Sequence, residues 1–252
     1  MRFGSAARPL PSFLPSLFSS LLDRLPSQCA VCRAWPSQPV CDACVARFAP
    51  PTPRCTTCAL PVPAGVARCG ECVRHPPPLD ACLAACTYAW PWPGPIGEFK
   101  FQGHAGWAAP FAMLMRSMPW AEPAVEQADL VLPMPLSTAR LRQRGFNQAL
   151  ELARRLAPGK TEAALLLRTR DTPAQSGLGR AERLRNLRGA FALEPLRAAA
   201  VRGRHVLLVD DVMTSGASAF TAAQVLKTAG AAHVTALVLA RTDPPGERHE
   251  GH

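Results

Sequence analysis

Asp210 and Asp211 are adjacent carboxylates. They follow four consecutive apolar residues, Val206 to Val209, and precede a run of small residues, Thr214, Ser215, Gly216, Ala217 and Ser218. An unbroken apolar run of this length predicts a strand buried on both faces of a parallel sheet. Beyond the small residues the apolar period changes to 3.6, with Ala219, Ala222, Ala223, Leu226 and Ala229 on one helical face and Gly230 as the stop. A second apolar run, Val234 to Leu239, predicts the next strand. The unit reads strand, acidic turn, helix, strand, and each part has a chemical use. Carboxylates at the carboxyl end of a parallel strand face the crevice where such sheets bind ligands. They accept hydrogen bonds from sugar hydroxyls and attract Mg2+, which prefers oxygen ligands. Free N–H groups at a helix N-terminus, the approach allowed by Gly216 and the hydroxyls of Thr214, Ser215 and Ser218 suit a phosphate. A phosphate beside a diol and a metal describes a ribose 5-phosphate.

The segment Val206–Ser218 resembles the 5-phosphoribosyl 1-pyrophosphate signature of type I phosphoribosyltransferases. Apolar residues before Asp-Asp also occur in P-loop ATPases, but those need G-x-x-x-x-G-K-[ST] upstream. Gly159-Lys160-Thr161 is the nearest match, and position 154 is Arg, so the first glycine is missing.

A second constellation is built from sulfur. Eight of the ten cysteines form four C-x-x-C pairs: Cys29/Cys32, Cys41/Cys44, Cys55/Cys58 and Cys69/Cys72. One such turn presents two thiolates to a cation, and two turns complete a tetrahedral S4 zinc site. Four pairs give capacity for two structural Zn2+ ions. Consecutive pairing puts Cys29, Cys32, Cys41 and Cys44 on one ion and Cys55, Cys58, Cys69 and Cys72 on the other, with 8 and 10 residues between knuckles. Interleaved pairing is the alternative. A redox C-x-x-C occurs once, near a βαβ pattern, rather than four times. Cys82 and Cys86 lie in an apolar stretch and read as buried structural thiols.

The elements that must position these groups divide the chain. Seventeen of 27 prolines lie in residues 1–95, and Pro76-Pro77-Pro78 marks a stiff exit from the cysteine region. That region has too small an apolar complement to fold without metal. The expected organisation is an amphipathic segment at 1–26, a zinc-binding module at 27–80, an α/β domain with a parallel sheet at 81–243 and a polar tail at 244–252. Arg2 and Arg8 before Leu10–Leu22 loosely imitate a secretory signal. Pro11 and Pro15 interrupt it, and a short amphipathic helix over Ser16–Leu25 is expected instead. No stretch of about 18 apolar residues exists, so no transmembrane helix is expected. A cytoplasmic location is expected.

Residues 98–118 have helical character, Asp129–Pro135 reads as a short buried strand ending in a rigid turn, and Ala149–Leu156 as a helix. Ser137 and Thr138 suit a helix N-cap. Arg140 and Arg144, four apart, share a face if their stretch is helical, and the guanidinium fork matches pyrophosphate oxygens. The net charge is +10, and residues 140–204 hold 15 basic and 5 acidic residues, which accounts for the whole excess. Such a segment suits polyanions: pyrophosphate, nucleotides or nucleic acid. Residues 168–191, glycine-containing and then Arg-rich, read as a mobile loop able to close over a polyphosphate.

Taken together, the C-x-x-C pairs, Lys100-Phe101, Pro133-Met134-Pro135, Arg144-Gly145-Phe146-Asn147-Gln148, Gln175, Arg183, Asn186, Gly189-Ala190-Phe191 and Val206–Ser218 resemble the ComF family, associated with competence for DNA uptake. The resemblance runs from the first C-x-x-C to about Arg241. It implies an N-terminal zinc region and a C-terminal type I phosphoribosyltransferase-like domain. It further implies that Asp210 and Asp211 hold ribose hydroxyls and orient Mg2+ with phosphoribosyl pyrophosphate. Thr214, Ser215, Gly216, Ala217 and Ser218 then bind the 5-phosphate, and Met134, Pro135, Arg140, Arg144 and Arg183 the pyrophosphate. The alternative is a non-catalytic binder of nucleotide or single-stranded DNA within the DNA-uptake machinery. Tryptophans 35, 90, 92, 107 and 120 would then be available to stack on bases, although core packing suits most of them better.

Overall fold

The computed structural model describes residues 27–170, 187 and 189–243. Two compact units are distinguished, Met1–Cys44 and Val45–His252. The first unit contains the first cysteine tetrad, within a region where Ser27 and Ser37 form an antiparallel bridge. The helix α1, Asp42–Phe48, carries Cys44 in its first turn. The amphipathic helix expected over Ser16–Leu25 and the tail 244–252 lie outside the described residues.

The second unit is built on a parallel four-stranded sheet in the order β1-β6-β5-β2. β1 is Ala81–Thr87, β2 Leu130–Pro133, β5 His205–Met213 and β6 His233–Arg241. The strand expected over Val206–Val209 thus continues through both aspartates to Met213, because Asp210, Val212 and Met213 still pair with β6. Successive side chains of β5 alternate between faces. Val206 and Leu208 join a cluster with Ala222, Ala223 and Leu226, while Leu207 and Val209 are equally buried from the other side. Burial on both faces is why the run is apolar throughout.

Helices fill the connections. α2 is Gly70–Arg74, α3 Pro93–Phe101, α4 Ala108–Arg116, α5 Ala121–Gln127, α6 Thr138–Arg144, α7 Gln148–Leu156 and α8 Ala217–Thr228. The helical stretch expected over 98–118 is two helices, α3 and α4, separated by a short 3-10 turn at Ala105–Trp107. α7 packs on β2 and β5 and against α4, whereas α8 packs on β6. Gly230, at φ +96°, ends α8 as its position implied. β3, Leu166–Arg168, and β4, Phe191–Leu193, form a separate antiparallel pair. Within the basic loop between them, residues 171–186 and 188 lie outside the described residues.

The second cysteine tetrad belongs to the sheet unit, whose first residue is Val45 rather than the 81 suggested by the proline-rich exit. Cys55, Cys58 and Cys72 share the hydrophobic cluster of β5 and α8, and Cys82 N donates to Thr56 O at 2.7 Å. Cys82 and Cys86 are buried, and burial pushes both thiols up to about 12. Trp92 is buried, with Nε1 donating to Phe48 O at 2.8 Å, whereas Trp35 and Trp90 are exposed.

Candidate functional site

At the carboxyl end of β5 and β2 lies a cavity of about 150 Å3. It is lined by Lys100, Met134, Pro135, Arg140, Arg144, Asn147, Gln148, Arg168, Asp210, Asp211 and Ser218, among others. The strand β5 delivers the two aspartates, α8 delivers Ser218, and the β2-to-α6 connection delivers Met134 and Pro135. The helix α6 then presents Arg140 and Arg144 on one face. Ser137 caps α6, its Oγ accepting from Arg140 N at 3.4 Å. Most of the residues singled out in the sequence therefore converge. Arg183 lies outside the described residues.

Asp211 is buried and its Oδ1 faces Lys100 Nζ at 3.0 Å. The same oxygen accepts from Val212 N at 2.5 Å, and Asp210 Oδ1 accepts from Asp211 N at 2.9 Å. Burial, then the neighbouring Asp211 charge, pushes the Asp210 carboxyl up to about 7, against the opposing pull of Lys100 and Arg144. Two carboxylates crowded in this way are relieved by a cation, so the pair fits Mg2+ together with a sugar diol. Burial lowers Arg144 from the usual guanidinium range, opposed by Asp211 and Asp210. Its Nη1 donates to Gln148 Oε1 at 3.0 Å and its guanidinium lies 5.1 Å from the centre of the Phe101 ring, while its Nε is buried without a hydrogen-bond partner. A buried donor of this kind is costly unless a ligand acceptor meets it.

The Pro133-Met134-Pro135 turn is pinned from both sides. Met134 N donates to Val209 O at 2.9 Å, and Asn147 Nδ2 donates to Met134 O at 3.1 Å. Asn147 also caps α7, its Oδ1 accepting from Ala149 N at 3.0 Å. Lys100, Asn147 and Gln148 were visible in the sequence only as parts of the family resemblance. Arg168 had no signal beyond belonging to a basic segment.

The turn at the start of α8 is shaped by Gly216 at φ +80°, with Ser215 Oγ accepting from Ala217 N at 3.3 Å. A Cβ at position 216 would meet Met213 Cε at 2.6 Å and Phe220 Cζ at 2.6 Å, and both side chains are buried. Glycine is therefore required here twice, by conformation and by space. The first N–H groups of α8 have no carbonyl partner within the helix, the general property that suits a helix N-terminus to an anion.

The two tetrads assemble as consecutive pairing anticipated: Cys29, Cys32, Cys41 and Cys44 in one, Cys55, Cys58, Cys69 and Cys72 in the other, with each set of Sγ atoms within 4.8 Å of one another. Sulfur–sulfur separations are 3.8 Å for Cys29–Cys44, 3.6 Å for Cys32–Cys41 and 3.7 Å for Cys58–Cys69. A tetrahedron with metal–sulfur bonds of about 2.3 Å has edges of about 3.8 Å, so both tetrads could hold zinc. Burial raises the Cys29 and Cys55 thiols, but N–H and hydroxyl donors outweigh it and bring each to about 6. Burial pushes Cys44, Cys58 and Cys72 up, which favours a bound cation over free thiolates. Among the described residues no helix is long and apolar enough to cross a membrane.

Residues 141–251 match the phosphoribosyl transferase domain family. DNA utilization protein YhgH of Escherichia coli is 32% identical over 176 residues, spanning 68% of this chain and 76% of that protein. The chain belongs to the ComF family. Competence protein F of Haemophilus influenzae is 31% identical to this ComF-family chain over 118 residues, 45% of the chain and 50% of that protein. Among solved structures, the allosteric regulatory enzyme of purine biosynthesis aligns with 56% of this chain and 29% of its own, at 18% identity and a TM-score of 0.36. The family sets the fold of the Val45–His252 unit as a phosphoribosyltransferase-like parallel sheet.

Proposed function

We propose that the cavity at the end of β5 binds 5-phosphoribosyl 1-pyrophosphate with Mg2+, and that the chain is a cytoplasmic phosphoribosyltransferase-like protein serving DNA uptake. One observation carries this reading. A carboxylate pair, an arginine pair on α6 and Ser218 of α8 line one cavity, and the glycine turn that starts α8 leads directly into Ser218. Asp210 and Asp211 accept from the ribose hydroxyls. The turn from Thr214 to Ser218 holds the 5-phosphate through N–H and hydroxyl donors. Main chain at Met134 and Pro135, with Arg140 and Arg144, holds the pyrophosphate. Arg183 belongs to this set through the family motif.

Mg2+, held through Asp210 and Asp211, would supply charge neutralisation for the pyrophosphate. The chain itself would act by position and electrostatics. When the bond from C1 to pyrophosphate lengthens, positive charge grows on the ring and negative charge on the leaving group. Arg140 and Arg144 stabilise the second. Two structural Zn2+ ions brace the cysteine tetrads, with residues 27–80 supplying all eight thiolates. The names of the relatives, DNA utilization protein and Competence protein F, support the setting in DNA uptake.

Isothermal titration calorimetry tests the reading. Phosphoribosyl pyrophosphate should bind only with Mg2+, and the double variant Asp210→Asn/Asp211→Asn should lose that binding while still unfolding in a single cooperative transition. Equal binding by the double variant overturns the site. Tight single-strand DNA binding that survives the double variant would favour the non-catalytic alternative.

A further inference from the structure

Arg241, the last residue of β6, is 4% exposed and donates to backbone carbonyls on three segments of the chain. Its Nε donates to Cys58 O at 2.8 Å. Its Nη1 donates to Met213 O at 3.1 Å, to Thr242 O at 2.6 Å and to Thr214 O. One buried guanidinium thus grips the backbone of the second cysteine tetrad with one edge and the start of the phosphate turn with another. Cys58 does not line the cavity, so this is a link between two centres rather than part of either.

The link has a defined geometric effect. In a trans peptide the carbonyl oxygen and the following N–H point in opposite directions. Holding the oxygens of Met213 and Thr214 toward Arg241 therefore turns the N–H groups of Thr214 and Ser215 away from it. Met213 is further fixed by Thr242 N, which donates to its oxygen at 3.1 Å, and by Cys82 Sγ at 3.4 Å from its Sδ. The position of Cys58 O depends in turn on the knuckle, because Cys58 Sγ is one of the four sulfurs gathered around a common centre. Charge-assisted hydrogen bonds are about twice as strong as neutral ones, so the guanidinium transmits a shift at the knuckle rather than absorbing it.

We propose that Arg241 is a positioning residue that makes the shape of the phosphate-binding turn depend on metal occupancy of the Cys55, Cys58, Cys69 and Cys72 tetrad. The consequence for phosphoribosyl pyrophosphate rests on the function proposed above; the mechanical coupling does not. Loss of metal from the second tetrad loosens the turn and lowers phosphate affinity without removing any cavity residue. Loss of metal from the first tetrad leaves the turn unchanged.

The test combines amide hydrogen exchange, zinc content and calorimetry on the full chain. Exchange at residues 214–218 reports the turn, and exchange at Leu207–Val209 reports global opening. Cys69→Ser should lose one zinc and speed exchange at 214–218 by about tenfold or more, as expected when buried charged hydrogen bonds are lost. Arg241→Met should keep both zincs and speed the same amides similarly, and the double variant should add nothing further. Arg241→Lys, which keeps the charge but not the fork, should fall between wild type and Arg241→Met. Cys32→Ser should lose one zinc with no change at 214–218.

If Arg241→Met does not fold, the contrast between Cys69→Ser and Cys32→Ser reads the same link. Unchanged turn exchange in Cys69→Ser after confirmed zinc loss overturns the proposal, as does an effect that multiplies in the double variant. Phosphoribosyl pyrophosphate affinity should fall in parallel with turn loosening. A wild type that binds no phosphoribosyl pyrophosphate, yet shows the exchange pattern, sinks the function and leaves the coupling standing.

Discussion

Lys100 Nζ lies 3.0 Å from Asp211 Oδ1, which makes the cavity's most buried carboxylate half of an ion pair before any ligand arrives. Removing the cation strands a buried charge. Lys100→Met should cost about 2 kcal/mol, less than the roughly 3–5 kcal/mol for breaking a fully buried pair, because Lys100 keeps some solvent contact. That corresponds to roughly 4–8 °C in melting temperature for a chain of this size. Mg2+ should recover more stability in the variant than in wild type, because it takes over the role of the ammonium. Thermal melts with and without Mg2+ read both effects, and an unchanged melting temperature would show the pair to be inert.

The raised pKa of Asp210, about 7, sets a pH dependence with a definite sign. The folded chain binds this proton more tightly than the unfolded chain. The resulting stability is fully present below about pH 4 and is lost as pH rises toward 7, at up to about 1.4 kcal/mol per pH unit. Asp210→Asn should flatten that part of the stability curve. Mg2+-dependent ligand binding should strengthen between about pH 6 and 8 as the carboxyl ionises. Urea titrations across pH on wild type and Asp210→Asn check the first point, and calorimetry across the same range checks the second.

Gly216→Ala should destabilise the fold by about 1–3 kcal/mol from backbone strain alone, with more from the clash against the Phe220 ring. Ligand affinity should fall further than stability, since the displaced backbone is the turn itself. Urea denaturation and calorimetry on the same samples separate the two. A variant of wild-type stability and affinity would mean that the turn adopts another shape in solution.

The purified chain should carry two equivalents of zinc, and Cys29→Ser and Cys55→Ser should each remove about one. Their consequences should differ. Cys55 shares the hydrophobic cluster of β5 and α8, so its variant should lower the main melting transition by several degrees. The Cys29 variant should leave that transition in place. Elemental analysis with calorimetric melting checks this, and disulfides in place of zinc would refute it.

Arg144→Lys keeps a charge but loses the planar fork, and pyrophosphate affinity should drop by about tenfold. If the basic segment instead tracks DNA, single-strand binding should fall by about 0.7 log units per log unit of salt for each phosphate neutralised. A salt titration on wild type and the Asp210→Asn/Asp211→Asn variant distinguishes the two uses of the segment.

The acidic strand, its turn and helix, and the two cysteine sets were legible in the sequence because each is local: spacing within about ten residues determines the geometry. The Ser137 cap belongs to the same class, whereas the Asn147 cap of α7 emerged only with the structure. What the sequence could not show was partnership across the fold. Nothing near Lys100 announces Asp211, and nothing near Arg241 announces Cys58, because each pair is separated by more than 100 residues and joined only by tertiary packing. The proline run at 76–78 suggested a boundary, yet the second tetrad packs into the sheet's own cluster. Apolar cysteines count as core, and a spacing rule for ligands is blind to that.

The strand order has a consequence for synthesis. Among the described strands β6 is the last to be synthesised, and it lies between β1 and β5. Until residues 233–241 emerge, β1 has no neighbour in the sheet and one side of β5 lies open. Translation therefore delivers both cysteine tetrads and the early helices well before the central seam can close. A nascent chain of this kind carries unpaired apolar strand edges for most of its synthesis, the state in which chains aggregate or recruit chaperones. Pausing translation shortly before codon 233 should trap a chaperone-bound intermediate that release past codon 241 resolves.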